Sequence, residues 1–411
     1  MTLLYIDPGT GSMLFSIIIG IVAAATFGIR TLIIKIKFIL SKDKDKSVSA
    51  LQAIKIPLVI YSDHKRYWNV FKPICDELEK RNIKTEFYTS SADDPALNEQ
   101  YKNINCSFIG EGNKAFSKLN LLNAKILLST TPGLDVYQWK RSKNVDYYVH
   151  IPHSIDDVPA TYRMFGLDYY DAVLVTGEHQ TNVIRKLEKM RNLPQKEVLT
   201  AGCTYLDSMA ERVKQNVSAI TNERPLVLVA PSWGKNAILS KFGTKFIDSL
   251  LTTGFDIVIR PHPQSFTAEK ELLESLQKKY ENCKNLSWNF DNSNFDILSR
   301  ADVMISDFSG VIYDYSFIFD KPVIYADTEF DPIQYDADWL DEKIWSLRVL
   351  PEFAIKLEEK EFSNMKEIIE NAMKSQSLAQ ARKKISDEAW DNKGKAAETV
   401  VNYLVNKLGE I

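Results

Sequence analysis

The sequence predicts an α/β protein: two Rossmann-like halves facing a cleft, preceded by one N-terminal transmembrane helix. Three observations carry that expectation. From residue 56 onward, short β-branched apolar runs alternate with amphipathic stretches, the pattern of parallel sheets covered by helices. The 411 residues are 45% apolar, enough for roughly two or three cores. The first forty residues differ in character from everything that follows.

Pro8 through Ile29 carries no charge, and its apolar core runs from Met13 to Ile29. A bilayer span needs about 20 residues, and Arg30 can snorkel while Thr31-Leu32-Ile33-Ile34 extends the run. A buried core helix is rarely apolar all round at this length. Ala23-Ala24-Ala25 suggests a cleaved signal peptide, but Asp7 stands where a basic segment belongs. An interfacial helix suits Thr31–Leu40 better than the run itself. Before the span the only side-chain charge is Asp7; after it come Arg30, Lys35, Lys37, Lys42, Lys44 and Lys46 against Asp43 and Asp45. That asymmetry places the N-terminus outside and the following domains in the cytoplasm, with the chain in the cell membrane. The expected organisation is an anchor over 1–40, a linker over 41–55, a first α/β domain over 56–220 and a second over 221–411 with C-terminal helices.

In the first half, strands are expected at Pro57–Tyr61, Thr85–Tyr88, Ser107–Ile109, Ile126–Ser129, Asp146–His150 and Ala172–Thr176. Tyr67–Arg81 puts Trp68, Phe71, Ile74, Cys75 and Leu78 on one helical face. In the second half the strands are Leu226–Ala230, Asp256–Arg260, Leu286–Trp288, Val303–Ser306 and Val323–Ala326. Helices fill Ile238–Thr252, Ala268–Tyr280 and Gly310–Phe319, and Ser363–Leu408 is helix-rich.

The 51 basic and 54 acidic side chains leave no bulk positive field, which argues against nucleic acid as a partner. The four cysteines, Cys75, Cys106, Cys203 and Cys283, have neither disulfide nor metal-finger spacing and read as reduced thiols. No metal and no cofactor is expected.

In Rossmann-like sheets ligands sit beyond the carboxyl ends of the strands, and those ends carry the polar groups here. Arg260-Pro261-His262-Pro263 ends one strand, its prolines stiffening a turn that presents a guanidinium and an imidazole. Such a pair suits a pyrophosphate, or else is a solvated surface turn. Ser306-Asp307-Phe308-Ser309-Gly310 runs into a helix, where Gly310 lets a phosphate approach open N–H groups; plain capping by Ser309 or Asp307 is the alternative. Asp314, one turn in, suits ribose hydroxyls or a solvated face. Ala230-Pro231-Ser232-Trp233-Gly234-Lys235 adds a hydroxyl, an aromatic that is equally well core, and a cation. In the first half, His150-Ile151-Pro152-His153-Ser154-Ile155-Asp156-Asp157 offers two imidazoles and two carboxylates. A histidine base with a carboxylate behind it fits this better than a metal site or a serine triad; a structural histidine with a capping Asp fits it too.

Taken in order, His153, Asp171–Gln180, Ala230-Pro-Ser-Trp233, Arg260-Pro-His262-Pro, Ser306-Asp-Phe-Ser309 and Asp314 to Lys321-Pro-Val resemble the CDP-glycerol glycerophosphotransferase family, the teichoic-acid-type polymerases and primases. The resemblance spans roughly residues 145 to 330 and implies a GT-B fold. It implies catalytic roles for His153 and His262, and donor-nucleotide or phosphate contacts at Arg260, Ser309, Gly310 and Asp314, with Lys235 and Ser232 beside them. Asp156 or Asp157 would orient the His153 ring. The implied activity moves glycerol phosphate, or a related polyol phosphate, from a CDP-linked donor such as CDP-glycerol to a hydroxyl of a cell-envelope glycan or lipid-linked acceptor, with membrane lipids as the surroundings. Ser154-Ile155 where the family has Gly-Thr, Gly310 for a second Ser, and Gly202-Cys-Thr-Tyr-Leu-Asp207 for Gly-x-Pro-Arg-x-Asp are departures. They keep two alternatives open: a GT-B glycosyltransferase using a nucleotide sugar, and an inactive nucleotide-binding or scaffold protein at the membrane.

Overall fold

Short strands, mostly apolar at the sheet centres, form two all-parallel sheets whose central strands are buried on both faces. A computed structural model describes residues 55–155, 157–162, 165–215, 222–291, 293–335, 339 and 343–411. The first sheet holds β1 (Ile56–Ser62), β2 (Thr85–Thr89), β3 (Ile104–Phe108), β4 (Asn123–Ser129), β5 (Asn144–His150), β6 (Ala172–Val175) and β7 (Glu197–Thr200), in the order β3-β2-β1-β4-β5-β6-β7. The second holds β8 (Leu226–Val229), β9 (Asp256–Ile259), β10 (Leu286–Trp288), β11 (Val303–Ser306), β12 (Val323–Ala326) and β13 (Ile355–Leu357), in the order β10-β9-β8-β11-β12-β13. In each sheet the order reverses once, between β1 and β4 and between β8 and β11. At such reversals the crossover helices go to opposite faces and a crevice opens beyond the strand ends.

The helices that position the site are α1 (Trp68–Lys80), α2 (Glu178–Arg191), α3 (Thr204–Gln215), α4 (Ile238–Leu251), α5 (Val311–Phe319), α6 (Trp345–Phe353), α7 (Gln376–Ala389) and α8 (Ala396–Glu410). The expected face of α1 is buried against β1 and β4: Phe71, Ile74, Cys75 and Leu78 pack with Leu58, Ile60, Ile126 and Leu128. Each such side chain contributes about 1.5–3 kcal/mol on burial. The two strands absent from the expected set are β7 and β13, both at sheet edges and only partly buried. With one neighbour each, they need no continuous apolar run.

Residues 55–411 form one compact unit, and the chain ties its halves together twice. Ile155, Cys203 and Leu206 join the second-half core beside Leu228, Met304 and Ile312. In return α8 carries Val400, Val401 and Leu404 onto the first sheet. The return passes close to the ends of β6 and β7. Gly202, at φ 90°, lies where a Cβ would stand 2.3 Å from the Asp391 carbonyl, so only glycine fits. Asp207 then accepts from Trp390 Nε1 at 2.9 Å and from the Gly394 and Ala396 N–H groups at 2.8 and 3.0 Å. The segment Gly202–Asp207 thus holds the chain's return crossing.

Among the described residues no helix is long and apolar enough to cross a membrane. The expected span at Met13–Ile29 and the linker up to Ile54 lie outside the described residues.

Candidate active site

The order reversal of the second sheet brings two strand ends side by side, and Asp307 joins them. Buried just past β11, its carboxylate accepts the Ser232 N–H at 2.8 Å, the Phe308 N–H at 2.7 Å and the Ile238 N–H at 3.0 Å. Burial pushes the Asp307 carboxyl up, and these donors pull it back. The loop after β8, the start of α4 and the turn into α5 are fixed by one side chain. Ser306 ties the same two strand ends, its hydroxyl donating to the Ala230 carbonyl at 2.6 Å.

No side chain caps α5: Gly310 stands at its N-cap without a side-chain hydrogen bond. A Cβ on Gly310 would meet nothing within 4 Å, so an anion can approach the leading N–H groups and the positive end of the helix dipole. His262 follows β9. Its Nδ1 accepts the Gln264 N–H at 3.1 Å, which puts the proton of the neutral ring on Nε2. Burial holds its pKa below the usual histidine range, with Glu269 opposing. His262 is therefore a neutral Nε2–H donor at neutral pH. The half-exposed Trp233 ring lies 6.4 Å away at 27° to it.

Ser232, Trp233, His262, Ser309 and Gly310 line one cavity of about 190 Å³, and Ile155, Asp157 and Thr161 of the first half close its other side. Three expected donor contacts do not line it. Arg260 is turned to the loop after β10, where it bonds Asn289 and donates to the Asp291 carbonyl at 2.8 Å. Lys235 is exposed outside the cavity. Asp314 points back to Tyr205 of α3, where burial lifts its pKa to about 7; it serves the packing of α3 on α5 rather than the cavity.

The first half presents a different surface. His153, two residues before Ile155, is partly buried with its ring centroid 5.1 Å from Tyr67 and 6.5 Å from Tyr162. Burial and then the charge of Arg66 lower its pKa to about 4, so the ring is neutral. The expected orienting carboxylate is not behind it. Asp157 is buried and accepts the Ser346 N–H of α6 at 3.1 Å, a carboxylate at a helix N-terminus. Asp156 lies outside the described residues. Instead, Asp63 and Arg66 follow β1 at the order reversal; burial raises the Asp63 carboxyl, and its Oδ1 has no partner among the described residues. The same strand-end rule, applied to Ser62-Asp63-His64, points to them. Among the described residues no group of three or more His, Cys, Asp or Glu is placed to hold a metal ion.

A family model described as CDP-glycerol:poly(glycerophosphate) glycerophosphotransferase matches residues 156–406. No curated protein matches the sequence. Among solved structures, a histidine-to-asparagine variant of the wall teichoic acid polymerase TagF, soaked with CDPG, superposes with TM-score 0.55 at 14% identity, over 87% of this chain and 90% of that one. The UDP-GlcNAc 2-epimerase of Methanocaldococcus jannaschii with UDP-GlcNAc and UDP gives 0.55 at 14%, over 86% and 100%. MnaA of S. aureus with UDP gives 0.56 at 13%, over 87% and 98%. At these identities the likeness establishes the fold, the GT-B arrangement of two Rossmann-like halves.

Proposed function

Because the chain belongs to the CDP-glycerol:poly(glycerophosphate) glycerophosphotransferase family, we propose that it moves glycerol phosphate, or a related polyol phosphate, from a CDP-linked donor to a hydroxyl of a cell-envelope glycan or lipid-linked acceptor. The observation that carries this reading is the cavity at the β8–β11 reversal. There an uncapped helix start, the Ser309 and Ser232 residues and the Nε2–H of His262 converge. These are donors suited to a pyrophosphate, with no side-chain carboxylate of the second half among them.

In the proposed reaction the donor's pyrophosphate lies at Ser309–Gly310, with Trp233 available to stack on the base. The acceptor oxygen attacks the phosphorus that bears glycerol, the phosphoanhydride bond breaks, and CMP leaves with the bonding pair. His262 donates a hydrogen bond to a phosphate oxygen, and the α5 N-terminus stabilises the charge that builds up. His153, neutral in the free protein, accepts the acceptor's proton. Met13–Ile29 anchors the protein in the cell membrane with its N-terminus outside, keeping both halves in the cytoplasm beside a lipid-linked acceptor.

Product analysis tests this reading. Full-length protein given CDP-glycerol and a glycerol-phosphate-terminated acceptor should release CMP in step with acceptor extension. Release of a nucleoside diphosphate would mean displacement at carbon, and would replace this reading with glycosyl transfer.

A further inference from the structure

A second cavity, of about 450 Å³, adjoins the first and shares Asp157 and Ile344 with it. Its chemistry is unlike its neighbour's. Lys186 from α2, Arg348 from α6 and Lys343 bring three cationic side chains to its wall, and Asp157 is the one carboxylate among its described lining residues. That carboxylate is already committed to the Ser346 N–H. His179, in the first turn of α2, lies against Trp345 with ring centroids 4.2 Å apart at 30°. Both His179 ring nitrogens are buried, and neither has a partner among the described residues. Burial and the charge of Arg348 hold this imidazole neutral, its pKa down at about 3. It therefore carries one N–H donor with no acceptor among the described residues, an unfavourable arrangement for a buried polar group.

Three cations and an unsatisfied N–H around a cavity next to the donor site are complementary to a phosphate. We propose that this cavity is a separate anion subsite, in which Lys186, Lys343, Arg348 and His179 hold a phosphate group of the acceptor while the donor occupies the neighbouring cavity. The identification of the ligand as acceptor rests on the function proposed above; the anion subsite itself does not. The partition explains how one protein engages two phosphate-bearing substrates at once. Donor contacts come from backbone N–H groups and neutral side chains at the β8–β11 reversal, and acceptor contacts come from cationic side chains on α2, on α6 and just before α6.

Calorimetry on the full chain with glycerol 3-phosphate as the probe, with and without saturating CDP, tests the proposal. Glycerol 3-phosphate should bind whether or not CDP is present. K343E and R348A should each weaken it by about tenfold or more, as expected for loss of a charge-assisted contact. Both variants should keep CDP affinity within about twofold of the parent. The His179 ring signals in NMR should move on adding glycerol 3-phosphate. Inorganic pyrophosphate in a parallel titration separates the sources: tighter binding than glycerol 3-phosphate assigns the subsite to a lipid-linked diphosphate, weaker binding to a polyol-phosphate chain end. Competition between glycerol 3-phosphate and CDP, or binding unchanged in both variants, overturns the proposal. If CDP fails to bind while glycerol 3-phosphate binds with the expected sensitivity to K343E, the donor reading fails and this subsite stands.

Discussion

At the order reversal of the second sheet, the three hydrogen bonds of Asp307 bind two loops and a helix start together, and Ser306 bonds the Ala230 carbonyl. At the corresponding reversal of the first sheet and on the neighbouring β5 end, buried polar atoms lack partners among the described residues. They are Asp63 Oδ1, the Thr130 and Thr131 hydroxyls, both nitrogens of His150 and Nδ1 of His153. The two regions use the same topology to different ends. Under the proposed function, a donor pyrophosphate would gain from groups locked in place before the ligand arrives. On the same proposal, a proton acceptor must be uncharged before it acts. Burial lowers His150 to about 3 and His153 to about 4, which keeps both rings uncharged.

That contrast can be broken most directly at His153. H153A should lose about 10²–10⁴-fold in turnover, the usual contribution of a positioned base, while the parent's kcat/KM stays flat from about pH 6 to about pH 8. Because the base works unprotonated and its pKa is about 4, activity should fall only as the pH drops toward that value. An acid limb near the ordinary histidine pKa would contradict the assignment. The next largest effect is expected at the scaffold. D307A leaves three N–H groups without their acceptor and should cost about 3 kcal/mol or more in urea unfolding, together with loss of CDP binding. Unchanged stability would remove Asp307 as the tie between the loops.

How far these regions were legible in the sequence follows from the kind of order each one uses. Eleven of the strands, and the start of α5 at Gly310-Val311, are legible, the central strands because most are continuous apolar runs ended by turn residues. The short, partly exposed edge strands β7 and β13 are not, although β3 and β10, also at sheet edges, are. Ser232, His262, Ser309 and Gly310 were legible because the strand-end rule is local, and they do line one cavity. Arg260, Asp314 and Asp157 obey the same local rule, yet their side chains are taken by Asn289, Tyr205 and Ser346, partners far away in the chain. Spacing along a sequence cannot reveal such competition. Asp307 was read as one of two simple capping candidates; its hold on three segments depends on β8 lying beside β11.

A smaller effect sharpens the reassignment of Asp314. Its folded pKa, about 7, lies above the ordinary carboxyl value of 3.8. The folded state therefore holds a proton that the unfolded chain releases between those values, and stability is lost as the pH rises toward and through about 7. D314N removes that loss. It should stabilise the protein at about pH 8, by on the order of 2 kcal/mol, with little change at about pH 4. CDP affinity should change little. A large loss of CDP affinity instead would return Asp314 to the donor site.

Calorimetric titration of CDP into H262A and H153A tests the proposed division of labour between the halves. H262A should lose at least about tenfold in CDP affinity, as for removal of a donor to a charged oxygen. H153A should bind CDP within about twofold of the parent. The reverse pattern, weakened binding in H153A with H262A unaffected, would contradict that division.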